Sequence, residues 1–321
     1  MTMRVAAIDC GTNSLRLLIA DVDIARGKLT DLERRMEIVR LGQGVDATGM
    51  LAPEALDRTL RMLAEYAKQI GAADVAAVRM VATSATRDAG NAADFSGGVQ
   101  AALGITPEVI SGSEEARLSF AGATAEFAAA SANAGQSPVP PFLVVDIGGG
   151  STEFVLGNGL AAAADLAAIS VDIGCVRLTE RHLHSDPPTA AQVDAATADI
   201  DRALGAVEAA IAVRQARTLV GLAGSVTTVT AIALGLPAYD PARTHHARIS
   251  AQVVHAVTER LLGQTREQRA EIGSMHPGRV DIIGAGALVL DRIMQRYGFA
   301  ELVASEHDIL DGIAWSLAAR D

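Results

Sequence analysis

Short apolar runs alternate with longer amphipathic segments along the first 130 residues of the chain. The runs at Arg4–Asp9 and Leu15–Asp21 have the length of buried strands, and the glycine turn between them predicts a hairpin. Residues 53–70 have the spacing of a helix, and Pro53 suits its first turn. Its apolar side chains recur at offsets of 4, 7, 11 and 14 and share one face: Leu56, Leu60, Leu63, Ala67 and Ile70.

The same alternation continues further along the chain. We predict a strand at 75–83, a short helix at Asn91–Leu103, a strand at Pro107–Ile110 and a helix at 111–129. The segment SANAGQSPVPP at 131–141 is rich in residues that interrupt both kinds of element, so it predicts a connection. Strands and helices alternate on both sides of it, which predicts the α/β fold class in each half.

The chain contains an internal repeat. The segments AAIDCGTNSLRLLI and LVVDIGGGSTEFVL each consist of an apolar strand, a D-x-G-x-x-S turn and a second apolar strand. Their matching residues are separated by a constant 137 positions: Asp9 and Asp146, Gly11 and Gly148, Ser14 and Ser151. Two copies that lie one domain length apart predict two domains of similar construction.

The composition of the 321 residues narrows the class of protein. Half of the residues are hydrophobic, which supplies apolar side chains for two cores and excludes a disordered chain. The formal net charge of −11 argues against partners such as nucleic acid or an anionic membrane surface. The apolar run at Ile282–Leu290 is too short to cross a bilayer. Cys10 and Cys175 have no metal-type spacing, and a cytoplasmic protein is expected.

The repeated turn has the chemistry of a phosphate-binding loop. Glycines let the backbone come close to an anion, and successive N–H groups can then point into one concavity. Asp9 and Asp146 are negative and cannot bind phosphate directly, so a bridging Mg²⁺ would be needed, for which Glu153 offers a further ligand. The alternative is that both turns are ordinary glycine hairpins capped by aspartate. Hydroxyl groups add donors in both copies: Thr12, Ser14, Ser151 and Thr152.

Six segments resemble, in order, the motif series of the exopolyphosphatase and guanosine pentaphosphate phosphohydrolase family: AAIDCGTNSLRLLI, VATSATRDAGNAADF, VISGSEEARLSFAG, VVDIGGGSTEFVLG, VGLAGSVTTVTAI and SEHDILDGI. The two turns also resemble the paired phosphate loops of the superfamily of actin, hexokinase and the heat-shock chaperones. The resemblance implies two actin-like, ribonuclease H-like domains with an interdomain cleft. Domain I is expected at 1–125 and domain II at 126–304, with a C-terminal helix at about 305–321 packing back on domain I. Long family members carry extra C-terminal helical domains, and this chain resembles the short, two-domain form.

Two adjacent glutamates in ISGSEEARLSF have different expected roles. Ser111 and Glu114 have the spacing of a helix capping box, so Glu114 is expected to be structural. The resemblance implies that Glu115 is the catalytic residue, which positions and deprotonates the attacking water. From the residues alone, a solvated glutamate at the start of a helix is the alternative.

The resemblance also implies a set of ligand-binding residues. Arg87 is expected to bind a phosphate with its planar guanidinium group, and Arg16 and Arg279 match family arginines that hold the anionic chain. Gly224 and Ser225 look like the family's third glycine turn. The two phosphate loops are expected to bind substrate through Gly11, Thr12, Asn13, Ser14, Gly148, Gly149, Gly150, Ser151 and Thr152. Metal binding is expected at Asp146, Glu153 and Asp9.

These expectations favour an enzyme that releases terminal phosphate from inorganic polyphosphate, with Mg²⁺ or Mn²⁺ as its cofactor. Guanosine pentaphosphate is the alternative substrate, and the residues do not decide between the two. A sugar or acetate kinase and an actin-like nucleotide-binding protein are the more distant alternatives in the superfamily. Because the family commonly forms homodimers, a homodimer is expected, with no nucleic-acid or membrane partner.

Overall fold

The computed structural model describes residues 2–130, 138–159 and 166–319. The chain divides into two compact units, of which unit 1 comprises Met1–Ala125 and Asp308–Asp321, and unit 2 comprises Glu126–His307. Residues 131–137 of the predicted connection lie outside the described residues. Each unit contains a sheet with helices between its strands, which confirms the α/β class.

The strands of unit 1 are Thr2–Cys10 (β1), Ser14–Asp23 (β2), Lys28–Ile38 (β3), Ala77–Ala82 (β4) and Glu108–Val109 (β5). They form one sheet in the order β3-β2-β1-β4-β5. The helices between them are Val45–Thr48 (α1), Pro53–Ala72 (α2), Ser84–Asp88 (α3), Ala92–Leu103 (α4) and Gly112–Ala130 (α5), which continues past the end of the unit.

The apolar pattern explains most of unit 1. β1 and β2 form the predicted antiparallel hairpin, and β1 is buried because both of its faces are covered. The helix α2 begins at Pro53, as predicted, and turns Leu63, Tyr66 and Ile70 towards the sheet. The strand β3 was not predicted, because it is an edge strand whose side chains are mostly exposed or half-buried and include many charges.

Unit 2 repeats this construction with more helices. Its strands are Phe142–Ile147 (β6), Thr152–Gly157 (β7), Ala167–Val171 (β8), Thr218–Leu222 (β9), Arg248–Ser250 (β10) and Glu301–Ala304 (β11), in the sheet order β10-β11-β9-β6-β7-β8. Its helices are Cys175–His182 (α6), Ala190–Ala210 (α7), Ala223–Ala233 (α8), Pro241–Thr244 (α9), Ala251–Gly263 (α10), Arg266–Ala270 (α11) and Ile283–Tyr297 (α12). In the part of the chain that the structure describes, no helix combines the length and the apolar character needed to cross a membrane.

The two sheets show the internal repeat as structure. In unit 1, β1 pairs antiparallel with β2 and parallel with β4, while β2 pairs antiparallel with β3. In unit 2, β6 likewise pairs antiparallel with β7 and parallel with β9, while β7 pairs antiparallel with β8. The repeated sequence therefore forms the same strand, turn and strand at the centre of each unit.

The chain returns to unit 1 with a last helix, Ile309–Ala318 (α13), which packs on β1 and β2. It covers the face of β1 opposite to α2, where Val5 and Ala7 contact its apolar side. Two glycines allow α5 and the start of α13 to approach closely. A Cβ atom on Gly122 would lie 1.9 Å from the carbonyl oxygen of Asp308, and one on Gly312 would lie 2.0 Å from that of Leu118.

Candidate functional site

The predicted site residues of unit 1 follow the carboxyl ends of its parallel strands. β1, β4 and β5 run parallel to one another in the sheet. Their ends lead into the loop at 11–14, into α3, which carries Arg87, and into the start of α5, which carries Glu115. In open α/β sheets ligands bind at this edge, because the loops there surround a crevice.

The first phosphate loop has its carbonyl groups bound to protein. The N–H of Gly11 donates to the carbonyl of Ser14 at 3.0 Å and closes the turn. The carbonyls of Thr12 and Asn13 accept hydrogen bonds of 2.8–3.0 Å from N–H groups of the segment 39–42. Within the described ranges, the N–H groups of Thr12 and Asn13 have no protein acceptor. The loop therefore leaves these two N–H groups available as donors, and their binding to an anion stays a prediction.

Two residues that the sequence did not single out support this loop. The hydroxyl oxygens of Thr12 and Ser84 lie 2.8 Å apart, and both side chains are buried. A Cβ atom on Gly42 would lie 2.3 Å from Cγ2 of Thr12, so only glycine fits there. The parallel pairing of Cys10 with Ala82 brings Ser84 to the loop, and no local spacing in the sequence indicates that pairing.

Asp9 and Arg16 form a buried ion pair at the base of the first loop. They lie opposite each other on β1 and β2, and Oδ2 of Asp9 accepts hydrogen bonds from Nε and Nη2 of Arg16 at 2.9 and 2.6 Å. Arg16 also donates to Asp308 at the start of α13. Burial raises the pKa of Asp9, and the Arg16 guanidinium opposes that effect. Oδ1 of Asp9 is buried and has no hydrogen-bond partner in the described part of the chain.

The first turn of α5 separates the two adjacent glutamates. The hydroxyl of Ser111 accepts from the N–H of Glu114 at 3.2 Å, which is one half of the predicted capping box. The carboxylate of Glu114 accepts from Nη2 of Arg79 at 2.9 Å, so this side chain binds β4 in place of the second half of the box. Glu114 thus has a structural partner, although a different one from that expected.

Glu115 lies beside Arg87 and is 8% exposed. Nη1 of Arg87 donates to Oε2 of Glu115 at 3.3 Å and to the carbonyl of Ile110 at 2.9 Å. Arg87 stands on the same short helix as Ser84, which contacts Thr12. Helix α3 therefore links the first phosphate loop to Glu115 through side-chain contacts.

The second phosphate loop is held by the start of α6. The N–H of Gly148 donates to the carbonyl of Ser151 at 3.0 Å, the same closing bond as in the first loop. The carbonyls of Gly148 and Gly149 accept bonds of 2.9–3.1 Å from the first N–H groups of α6, residues 175–177. Among the residues described, the N–H groups of Gly149 and Gly150 have no protein acceptor. Both loops therefore bind their carbonyls to protein and leave donors for an anion.

Gly174 and Arg177 complete this support, and the sequence did not point to either. A Cβ atom on Gly174 would lie 2.3 Å from the carbonyl group of Gly149. Nε of Arg177 donates to the carbonyl of Gly150 at 2.7 Å. In sequence, both residues stand more than 20 positions after the loop that they contact, so no short motif could reveal them.

Asp146 and Glu153 lie opposite each other on β6 and β7, so their side chains share one face of the sheet. Both are buried, and Oε1 of Glu153 accepts from the hydroxyl of Ser170 at 2.7 Å. In the first copy of the repeat, the position of Glu153 is taken by Arg16. The strands that flank the first loop therefore carry a carboxylate and a guanidinium at its base, and those that flank the second loop carry two carboxylates.

The donor set at the second loop suits a hard divalent cation. Mg²⁺ takes few carboxylates and completes its shell with water and phosphate oxygens. Across the described ranges, no three His, Cys, Asp or Glu side chains are grouped so that they could hold a metal ion by themselves. A cation at Asp146 and Glu153 would therefore depend on ligand oxygens from the substrate or from water.

The third glycine turn binds an arginine. Nη1 of Arg279 donates to the carbonyl of Gly224 at 2.8 Å and to the hydroxyl of Thr228 at 3.0 Å. A Cβ atom on Gly224 would lie 2.0 Å from Cζ of Arg279. Ser225 is buried, and burial raises the pKa of the neighbouring Cys175 thiol. The structure thus brings Arg279 and the turn together, as parts of one cluster.

The side chain of Thr152 bonds within unit 2, and its expected contact with substrate stays a prediction. Its side chain is fully buried in β7, and its hydroxyl donates to the carbonyl of Ile173 at 3.0 Å. This bond holds the connection that leads into α6. All six residues of β7 are buried, and the hydroxyl of Thr152 is directed into the protein.

The chain is similar to proteins of known family. Residues 19–320 match the Ppx/GppA phosphatase family. Exopolyphosphatase 2 of Mycobacterium tuberculosis is 51% identical over 329 residues, which cover 98% of this chain and 98% of that protein. The crystal structure of an exopolyphosphatase-like protein has a TM-score of 0.90 and 42% identity, and covers 99% of each chain. The Aquifex aeolicus PPX-GPPA enzyme has a TM-score of 0.80 and 31% identity, over 98% of this chain and 100% of that one. These matches confirm the expected two-domain, actin-like fold.

Proposed function

The chain belongs to the Ppx/GppA phosphatase family, and from that membership we propose that it is an exopolyphosphatase, which hydrolyses the terminal phosphoanhydride bond of inorganic polyphosphate. The observation that carries the proposal is the backbone of the two phosphate loops, whose carbonyls are bound to protein while N–H groups are left as donors. Such loops suit an oxygen-rich anion that carries negative charge along its whole length.

Glu115 is the proposed general base. Its carboxylate takes a proton from a water molecule, whose oxygen attacks the terminal phosphorus. The bond from that phosphorus to the bridging oxygen breaks, and the products are orthophosphate and a chain shortened by one phosphate. Arg87 supports the proposal because its hydrogen bond orients the Glu115 carboxylate and places a positive charge beside the reacting anion.

Asp146 and Glu153 are the proposed ligands of Mg²⁺ or Mn²⁺. When bound, the cation would neutralise charge on phosphate oxygens. Two buried carboxylates on one face of the sheet support this assignment. Asp9 contributes less to such a site, because Arg16 already neutralises it.

Guanosine pentaphosphate remains the second substrate to be tested, since its terminal 5′ phosphate has the same anhydride chemistry. We also propose that the protein is a cytoplasmic homodimer. Phosphate release is measured with polyphosphates of several lengths, guanosine pentaphosphate and ATP, each with Mg²⁺ and with a chelator. Release from guanosine pentaphosphate alone would contradict the polyphosphate assignment, and a monomeric mass in light scattering would contradict the dimer.

Glu115→Gln tests the proposed mechanism directly. The amide keeps the size of the side chain but removes the basic oxygen, so turnover is expected to fall about 10²–10⁴-fold while polyphosphate binding is retained. Glu114→Gln is the matched control, because glutamine still offers Arg79 an oxygen acceptor and activity is expected within several-fold of wild type. If Glu114→Gln is inactive and Glu115→Gln is active, the roles of the pair are reversed. If both are active, the general base lies elsewhere.

A further inference from the structure

We infer that Arg177 is a positioning residue for the second phosphate loop. Its side chain reaches from α6 to the carbonyl of Gly150, with Nε 2.7 Å from that oxygen. The inference rests on the proposed function, because it assigns to Arg177 the task of keeping the loop in the form that binds a phosphate group.

The hydrogen bond from Arg177 fixes the peptide unit between Gly150 and Ser151. A peptide is planar, so its N–H points away from its carbonyl, and fixing one group fixes the other. Turning this peptide over would change ψ of Gly150 and φ of Ser151, and glycine at position 150 leaves the first of these two rotations less restricted. Among the residues that the structure describes, the Ser151 N–H has no protein acceptor. If the peptide turned over, the Gly150 carbonyl would take the place of this donor, and a repulsive oxygen would face the phosphate.

The other carbonyls of the loop have different partners. Those of Gly148 and Gly149 are held by the first N–H groups of α6 at 2.9–3.1 Å. The Gly150 carbonyl accepts a longer bond of 3.3 Å from the N–H of Gly174, and the bond from Arg177 is the shorter of its two. The arginine therefore supplies the stronger of the two restraints on the Gly150 carbonyl.

The positive charge of Arg177 also affects anion binding, because the strands that flank the loop carry the two negative side chains of Asp146 and Glu153. The guanidinium side chain is only 11% exposed, so water screens its charge poorly. The Asp172 carboxylate, which is 69% exposed, lies 3.9 Å from Nη2 of Arg177. Arg177 thus adds a positive charge at a loop that must accept a polyanion.

The test compares three variants in the full chain. Arg177→Gln removes the positive charge and has a shorter side chain, which no longer carries a donor as far as the Gly150 carbonyl. Arg177→Lys keeps the charge but lacks the Nε–H group. Arg181→Gln is the matched control, because it removes the same charge one turn further along α6, where the arginine pairs with Asp199. The measurements are kcat and KM for polyphosphate, the Kd of tripolyphosphate by calorimetry, and the melting temperature.

We expect Arg177→Gln to lower kcat/KM about 10–100-fold and to weaken tripolyphosphate binding, since loss of one preorganised donor typically costs about 10²–10³ in rate. Arg177→Lys is expected to recover part of the loss, and Arg181→Gln to stay within about twofold of wild type. An Arg177→Gln enzyme with a lower melting temperature but unchanged kcat/KM and Kd would overturn the inference. If that variant does not fold, wild-type kcat/KM and Kd in Arg177→Lys would overturn it equally.

A different result would refute the proposed function without refuting the role of Arg177. A wild-type protein that binds tripolyphosphate but releases no phosphate from any polyphosphate would refute the exopolyphosphatase assignment. In that case, selective loss of tripolyphosphate binding in Arg177→Gln, and not in Arg181→Gln, would still support the positioning role.

Discussion

Replacing Gly174 with alanine is expected to displace the second phosphate loop. The backbone at Gly174 has φ −81° and ψ 158°, which alanine adopts without strain. The added Cβ atom, however, would lie 2.3 Å from the carbonyl group of Gly149 and 2.4 Å from the nitrogen of Gly150. Cβ contacts shorter than 3.0 Å are essentially never found, so loop and helix must separate by roughly 1 Å. A displacement of that size in a catalytic site can lower activity about 10²-fold.

The assay is phosphate release from polyphosphate, with the melting temperature measured in parallel. Overpacking is expected to lower the free energy of unfolding by about 1–3 kcal/mol, which leaves enough folded protein for kinetics. Gly263→Ala is the matched control, because this residue ends α10 in the same unit and its Cβ atom would meet nothing within 4 Å. Activity of Gly174→Ala within twofold of the control would refute the claim that α6 fixes the loop.

Three further predictions concern stability and the metal. Gly122→Ala places a Cβ atom 1.9 Å from the carbonyl oxygen of Asp308 and is expected to destabilise unit 1 by at least about 1–3 kcal/mol, measured by chemical unfolding. The hydrogen bond between Nδ1 of His255 and Asp291 at 3.0 Å raises the pKa of His255, so its stabilisation is complete below about pH 6.5 and is lost as the pH rises through the raised pKa. The melting temperatures of wild type and His255→Ala are therefore expected to differ more in acid than in alkali, and an equal difference at both would contradict this. Asp146→Asn is expected to raise the Mg²⁺ concentration that gives half-maximal activity, and an unchanged Mg²⁺ titration would remove Asp146 from the proposed metal site.

The sequence predicts those parts of the fold in which one local pattern decides the structure. The hairpin of β1 and β2 follows from two apolar runs around a glycine turn, and α2 follows from the spacing of its buried residues. The repeat at a constant offset predicts a second copy of the same hairpin, which β6 and β7 form. The edge strand β3 could not be predicted, because its residues lack an apolar face and it is stabilised by pairing with β2.

The sequence predicts those residues of the candidate site that lie within the short motifs. It does not predict the residues from other elements that hold the motif loops in place. Both phosphate loops and the two glutamates of α5 stand in short motifs, and the structure places them at the carboxyl ends of parallel strands. Ser84, Gly174 and Arg177 reach the loops from other elements, so their contacts depend on strand pairing and helix docking. The pairing of Asp9 with Arg16 was predictable only in part. It follows from the register of the hairpin, which can be derived once the length of the turn is known.

The return of α13 to unit 1 has a consequence for biosynthesis. Unit 1 consists of two pieces of chain, and the whole of unit 2 is translated between them. Until α13 leaves the ribosome, the face of β1 that carries Val5 and Ala7 lacks the helix that covers it. Unit 2 is continuous and can complete its core earlier, since domains fold as units during synthesis. The half of the protein that is translated first is therefore the last to complete its core, and one face of its sheet stays uncovered until the final helix has been made.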